Sequence, residues 1–144
     1  MLCFNLRKGD RFHIGDHVQV VLHSATVDAA LFGVELVQSM EVLLGHGARP
    51  DLAQPESVLP LQPRCRFERR YEDNFYIGDT LVCVTELRRS RVQVGISAPC
   101  HVPVHRASVF EEILWERAGR PRRWKGWTDW SPYVRRAGRL RRRV

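Results

Sequence analysis

The sequence predicts an all-β protein made of two small five-stranded units, with a short helix closing the second unit and a basic tail after it. Three observations lead there. Extended, β-branched runs are broken by Gly-Asp turns, two such stretches are related by a weak internal repeat, and a proline-rich segment separates them.

The turns come first. Residues 11–22 place Phe12 two residues ahead of Ile14-Gly15-Asp16, and residues 74–85 place Phe75 two residues ahead of Ile77-Gly78-Asp79; a β-branched run follows each. Gly between two extended runs supplies a positive φ and Asp bonds the local backbone, so each stretch reads as a hairpin. At an offset of 63 residues, Phe4 meets Phe67, Arg7 meets Arg70, Asp10 meets Asp73 and Phe12 meets Phe75. After one deletion the offset becomes 62, and Phe32-Gly33-Val34 meets Val94-Gly95-Ile96 while Val42 meets Val104. A period of this kind marks a repeated structural unit.

The boundaries follow. Unit 1 covers 1–44, a linker covers 45–63, unit 2 covers 64–118 and the tail covers 119–144. The linker carries Pro50, Pro55, Pro60 and Pro63, which remove backbone donors and favour extended chain. In unit 2, strands are expected near 65–70, 74–78, 80–87, 90–97 and 101–105. A helix is expected over about 107–118, with a capping box at Ser108 and Glu111, an apolar stripe of Val109, Phe110, Ile113 and Leu114, and a stop at Gly119 and Pro121. Unit 1 has Gly45-His46-Gly47 in the corresponding place, so no helix is expected there. Units this small cannot bury much core alone, so each is expected to use the other as its partner.

Composition narrows the function. Hydrophobic residues make up 44% of the chain, as in globular proteins. No apolar run is long enough to cross a bilayer, and the Met1–Arg7 stretch lacks the layout of a secretion signal, so a cytoplasmic protein is expected. Cys3, Cys65, Cys83 and Cys100 form no CxxC pair and are expected to be buried, reduced thiols. Cys100, His101 and His105 supply three candidate metal ligands without a fourth, so no metal site and no cofactor are expected. No nucleophile–base pairing or phosphate-cradling glycine loop points to an enzyme. Residues 1–116 carry 12 Lys and Arg against 15 Asp and Glu, whereas residues 117–144 carry 11 Lys and Arg against Asp129 alone. Such a tail suits a polyanion.

The stretches Tyr76-Ile77-Gly78-Asp79, Val92 to Pro99 and Val102-Pro103-Val104-His105-Arg106 together resemble the CsrA/RsmA (carbon storage regulator) family. That family has an I-G-D turn, a V-x-[IV]-G-[IV]-x-A-P strand and loop, and a V-x-V-H-R strand entering a helix. Met1-Leu2, Arg7, Gly9 and Asp10 resemble its opening. The resemblance covers about 1–44 and 64–117 and implies two CsrA-like units forming an intertwined, β-barrel-like pseudo-dimer within the chain. It further implies a regulator of translation that binds GGA in messenger-RNA hairpin loops near ribosome-binding sites, and commonly represses. The family's RNA surface joins the first strand of one protomer to the fifth strand of the other.

Carried over by residue, one composite RNA site combines Phe4, Asn5, Leu6 and Arg7 with Ala98, Pro99, Val102, Val104, His105 and Arg106. Leu6 stands where the family usually has a basic residue. The other combines Phe67, Glu68, Arg69 and Arg70 with Val42, Leu43 and Leu44. There Leu43-Leu44 replaces His-Arg and Leu36-Val37 replaces Ala-Pro, so a degenerate site is expected. An arginine fork suits a phosphate or a guanine edge, and a loop stiffened by Pro99 holds its backbone groups ready.

The competing reading is a protein-interaction adaptor that no longer binds RNA, with Leu43 and Leu44 facing a FliW-type antagonist or another CsrA-like protein. Pairing between chains through unit 2, giving a homodimer, is the alternative to pairing within one chain. In the tail, Trp124, Trp127, Trp130 and Tyr133 recur every three residues among Arg120, Arg122, Arg123, Lys125 and the arginines from Arg135 to Arg143. Rings that stack on bases and arginines that follow phosphates suit an auxiliary RNA contact by Arg122, Arg123, Trp124, Trp127 and Trp130. A docked helix, a disordered tail and contact with an anionic membrane surface are the other readings.

Overall fold

The computed structural model describes residues 1–36, 42–45, 57–59, 64–120 and 122–123. The strands are β1 (Leu2–Arg7), β2 (Arg11–Ile14), β3 (Val18–Ala25), β4 (Ala30–Leu36), β5 (Val42–Gly45), β6 (Ser57–Leu59), β7 (Arg64–Arg69), β8 (Asn74–Ile77), β9 (Thr80–Arg88), β10 (Arg91–Ser97) and β11 (Val104–Arg106). Helix α1 spans Ala107–Arg117. One sheet has the order β1-β10-β9-β8-β5-β6 and the other β11-β2-β3-β4-β7, with every pairing antiparallel.

This order is a strand exchange. The first and fifth strands of the N-terminal set flank the middle three of the C-terminal set, and the reverse holds in the other sheet. The registers agree. Phe4 faces Val94 and Phe67 faces Phe32; Val42 faces Ile77 and Val104 faces Ile14. These partners are related by the same offsets of 63 and 62 residues seen in the sequence. The single deletion falls in a turn, where Gly15-Asp16-His17 joins β2 to β3 but only Gly78-Asp79 joins β8 to β9. Gly15 and Gly78 both have φ of +59°, the conformation that the Gly-Asp reading requires. A register shift recurs as well, between Leu22 and Ser24 in one sheet and opposite Gln93/Val94 in the other.

Alternation along these strands sends one row of side chains inward from both sheets. Phe4, Phe12, Val20, Phe32, Val34, Phe67, Phe75, Val82 and Val94 belong to one buried cluster. Phe75 of β8 lies 4.9 Å from Phe67 and 5.4 Å from Phe32, so this aromatic group joins the two sheets. Neither set of strands has a core of its own.

Several expectations change. The fifth strand of unit 2 starts at Val104, because residues 99–102 form a turn closed by the Val102 N–H donating to the Pro99 carbonyl at 2.9 Å. His101 is therefore exposed in that turn, outside the strand that carries His105. The helix lies where expected, but Ser108 does not cap it. Arg106 is the N-cap residue, with extended backbone and no side-chain capping bond. Of the apolar stripe, Phe110 and Leu114 are buried, Ile113 is half-buried and Val109 is exposed. Gly119, with φ of +85°, ends the helix. Cys3 and Cys100 are exposed and Cys65 and Cys83 half-buried, so none is a fully buried thiol; all four are free. Partial burial pushes the Cys65 and Cys83 thiols up.

The turn from β1 to β2 repeats between β7 and β8. The Arg7 N–H donates to the Asp10 carboxylate at 2.9 Å and the Arg70 N–H to the Asp73 carboxylate at 2.8 Å. Gly9 holds the left-handed position with φ of +90°, but Glu72 occupies the equivalent position with φ of +66°. A side chain there costs roughly 1–2 kcal/mol, of which glycine's extra chain entropy returns about 0.5–1 kcal/mol. Glu72→Gly is expected to stabilise the protein by about 0.5–1 kcal/mol, read as a higher urea midpoint at unchanged m value.

Candidate nucleic-acid interface

The strand exchange brings residues about one hundred positions apart in the chain to one place. β1 is an outer strand of the first sheet and β11 an outer strand of the second. Phe4 and Leu6 point into the core, whereas Asn5 and Arg7 face solvent. The Arg106 guanidinium carbon lies 4.8 Å from the Phe4 ring centroid, and Phe4 packs against Phe12, the register partner of Arg106, at 5.5 Å. Arg106 itself is exposed. Its place is set by the abrupt change from β11 to α1 at the N-cap.

Helix α1 braces this end of β11. Phe110 stacks on His13 of β2 at 4.0 Å between ring centroids. Arg11 pairs with Glu111 at 3.6 Å and Arg117 with Asp16 at 3.1 Å, tying the helix to the N-terminal set of strands. His13 is only 1% exposed. Burial first, then the charges of Arg11 and His105, push its pKa down from 6.5 to about 3. Folded protein therefore keeps His13 neutral while the unfolded chain takes up a proton below pH 6.5. Stability is complete above that pH and falls as pH drops from 6.5 toward 3, by up to about 1.4 kcal/mol per unit. His13→Phe is expected to remove that part of the acid slope in urea titrations at pH 4–7.

The other expected site residues lie along the same edge. Val102 and Val104 pack partly against the core, and His105 is half-buried opposite His13. Ala98 and Pro99 follow β10, beyond the pairing of Ile96 with Leu2. The Gly15 N–H, donating to the Pro103 carbonyl at 2.7 Å, pins their turn to the β2–β3 hairpin. The site thus runs from the Ala98-Pro99 turn along β11 to Arg106, with the outer strand β1 beside it. Leu6 presents only its backbone to this surface, whereas Phe4 adds the ring on which the Arg106 guanidinium lies.

The related place on the other half is built differently. β5 lies between β8 and β6, with Leu43 opposite Val58 and Leu44 opposite Ser57. Strand β6 therefore covers the β5 edge whose counterpart on β11 pairs with no strand among the described residues. Leu44, aligned with Arg106, is buried, as is Phe67, aligned with Phe4. Arg69, aligned with Leu6, is not a solvated surface charge. It is 8% exposed and its guanidinium donates to the Gly45 carbonyl at 2.9 Å, clamping the end of β5. Sequence reasoning missed β6, which lies inside the stretch read as linker. Its one signal is the short Ser57-Val58-Leu59 run between Pro55 and Pro60.

Among the described residues no group of His, Cys, Asp and Glu side chains is placed to hold a metal ion, and no helix is long and apolar enough to cross a membrane. Arg122 and Arg123 are exposed just past the helix, while Leu36 ends β4 and Val37 lies outside the described residues, as do Trp124, Trp127 and Trp130.

Fold and site together define a class: a small β protein made by exchange of outer strands, with an arginine held where two exchanged strands meet. Residues 67–114 match the model of the CsrA family, described as a global regulator protein family. The translational regulator CsrA of Pseudothermotoga lettingae is 39% identical over 49 residues, covering 33% of this chain and 64% of that protein. The translational regulator CsrA of Leptospira biflexa serovar Patoc is 37% identical over 46 residues, covering 31% of this chain and 58% of that protein. The chain thus spans less than two thirds of these curated relatives' own length. No solved structure matches the chain.

Proposed function

We propose that the protein is an RNA-binding regulator of translation, not an enzyme, and that it reads GGA in the hairpin loops of messenger-RNA leaders through one composite site. The observation that carries this is the contact between Arg106 and Phe4. It joins the first strand of one unit to the fifth strand of the other, on the side where β11 pairs with no strand among the described residues. Relatives named as translational regulators support the same reading.

The mechanism is recognition. Specific RNA readout works on splayed loop bases, whose edges meet backbone groups and side chains fixed in advance. Here the outer strand β1 and the pinned Ala98-Pro99 turn offer backbone groups, and Arg106 offers a planar fork for a phosphate or guanine edge. On the other half, β6 lies along β5 and Leu44 replaces the arginine. One chain therefore holds one RNA loop. We read the two strand sets as fused copies of one ancestral unit, the first having lost its fifth-strand recognition residues. An adaptor that binds another protein through the Leu43–Leu44 side is disfavoured by β6, which pairs there.

The test is binding of a labelled hairpin with GGA in its loop against one with CCA, at physiological salt. Preference for GGA supports the reading; equal affinity for both removes it.

A further inference from the structure

The outward face of the sheet that begins with β1 carries a row of arginines that starts at Arg7 of the composite site and continues through two arginines outside it. Arg7 of β1 faces Arg91 of β10, and Arg91 faces Arg88 of β9. Partners directly opposite in a sheet share a face. Leu6 and Val92 are buried and Leu87 packs against the core, so all three arginines point to solvent. Lys8 and Arg89 are exposed at the two ends of the row. Beside it, Asn5, Glu86, Arg88, Arg91 and Gln93 line a shallow hollow of about 140 Å³.

Like charges directly opposite one another in a sheet destabilise it. Glu86 pairs with Arg88, but neither Arg7 nor Arg91 has a carboxylate partner among the described residues. The row is also one-sided. The positions 62 residues before Arg88 and Arg91 are Thr26 and Ala29, so on the other sheet Arg70 faces no arginine. The unbalanced charge therefore lies only on the sheet whose outer strand, β1, borders Arg106.

We propose that Arg91 and Arg88, continuing the row from Arg7 of the composite site, form an added anion site that takes the sugar–phosphate backbone of the RNA flanking the bound loop. This rests on the function proposed above and adds to it a sequence-independent contact outside the recognition groove. Three neighbouring strands carry the row across about 10 Å, enough to meet more than one backbone phosphate. Asn5 and Gln93 supply neutral polar groups to sugar hydroxyls beside it. The row contributes affinity and salt dependence, and Arg106 with the pinned turn contributes sequence preference.

The test compares the full chain with the double variant Arg88→Gln, Arg91→Gln, both residues being exposed. Binding of the GGA hairpin is measured from 50 to 300 mM salt, beside the CCA hairpin and a short GGA oligonucleotide without flanking residues. The variant is expected to bind the GGA hairpin about tenfold more weakly at low salt. Its plot of log affinity against log salt should be shallower by roughly 1.4, about 0.7 for each phosphate that the protein no longer neutralises. The GGA-to-CCA ratio and the affinity for the short oligonucleotide should stay unchanged. Arg64→Gln with Arg66→Gln, which removes the same charge from β7 on the other sheet, should leave the slope as it was. An unchanged slope in the first variant, or an equal loss in the second, overturns the proposal while GGA preference still stands. Tight binding of inorganic pyrophosphate that RNA does not displace also overturns it, in favour of a free-phosphate site. Loss of GGA preference in the unaltered chain is the separate failure of the function reading.

Discussion

Phe75→Ala is expected to destabilise the protein by about 3–5 kcal/mol, the usual cost of removing a fully buried aromatic ring. Phe75 is 0% exposed and touches Phe32 and Phe67, both in the opposite sheet. Alanine there leaves a cavity between the sheets and removes an edge-on ring interaction with Phe67, worth about 0.5–1.5 kcal/mol beyond its area. Domains of this size are held by only about 5–15 kcal/mol, so the variant should be near the limit of folding. Each sheet contains strands from both units, so one half cannot lose its core and leave the other intact. The urea transition should therefore shift as a single step, by intrinsic fluorescence and by far-ultraviolet circular dichroism alike. Two separate steps would contradict the exchange of strands.

Arg106→Ala is expected to weaken binding of the GGA hairpin by about 10- to 100-fold. A hydrogen bond to a charged partner is worth about 1.5–3 kcal/mol, and each 1.4 kcal/mol is tenfold. The guanidinium is exposed, makes no capping bond and rests on the Phe4 ring, so stability should change by no more than about 0.5–1 kcal/mol. Arg106→Lys keeps the charge but loses the planar fork, and should fall between the native protein and the alanine variant. The aligned substitution on the other half, Leu44→Ala, should do the opposite. It costs about 2–4 kcal/mol of stability as a buried leucine and leaves RNA affinity unchanged. Titrations of labelled hairpin at fixed salt, paired with urea midpoints, separate the two effects.

Much of this architecture is legible in the residues. The Gly-Asp turns require positive φ at Gly15 and Gly78, and both have it. Offsets of 63 and 62 residues between similar stretches reappear as equivalent strand registers, since a repeated hydrophobic alternation specifies the same pairing twice. What stays hidden depends on contacts between distant segments. Strand β6 is three residues long between two prolines, and only pairing with β5 makes it a strand. Ser108 has the right spacing for a capping box, but α1 grows directly out of β11 and moves the N-cap to Arg106. Cys3 follows from alternation, because inward Phe4 and Leu6 leave it on the outward face with Asn5 and Arg7. His13 lies in a short strand whose alternation does not foretell its burial, and Phe110 of the docked helix stacks on it.

The most direct test of the central claim is the number of GGA hairpins bound per chain, measured by titrating the full chain into labelled RNA far above the dissociation constant. One hairpin per chain, lost on Arg106→Ala, is the predicted result. Two hairpins per chain would show that β6 does not close the second site and would contradict the account.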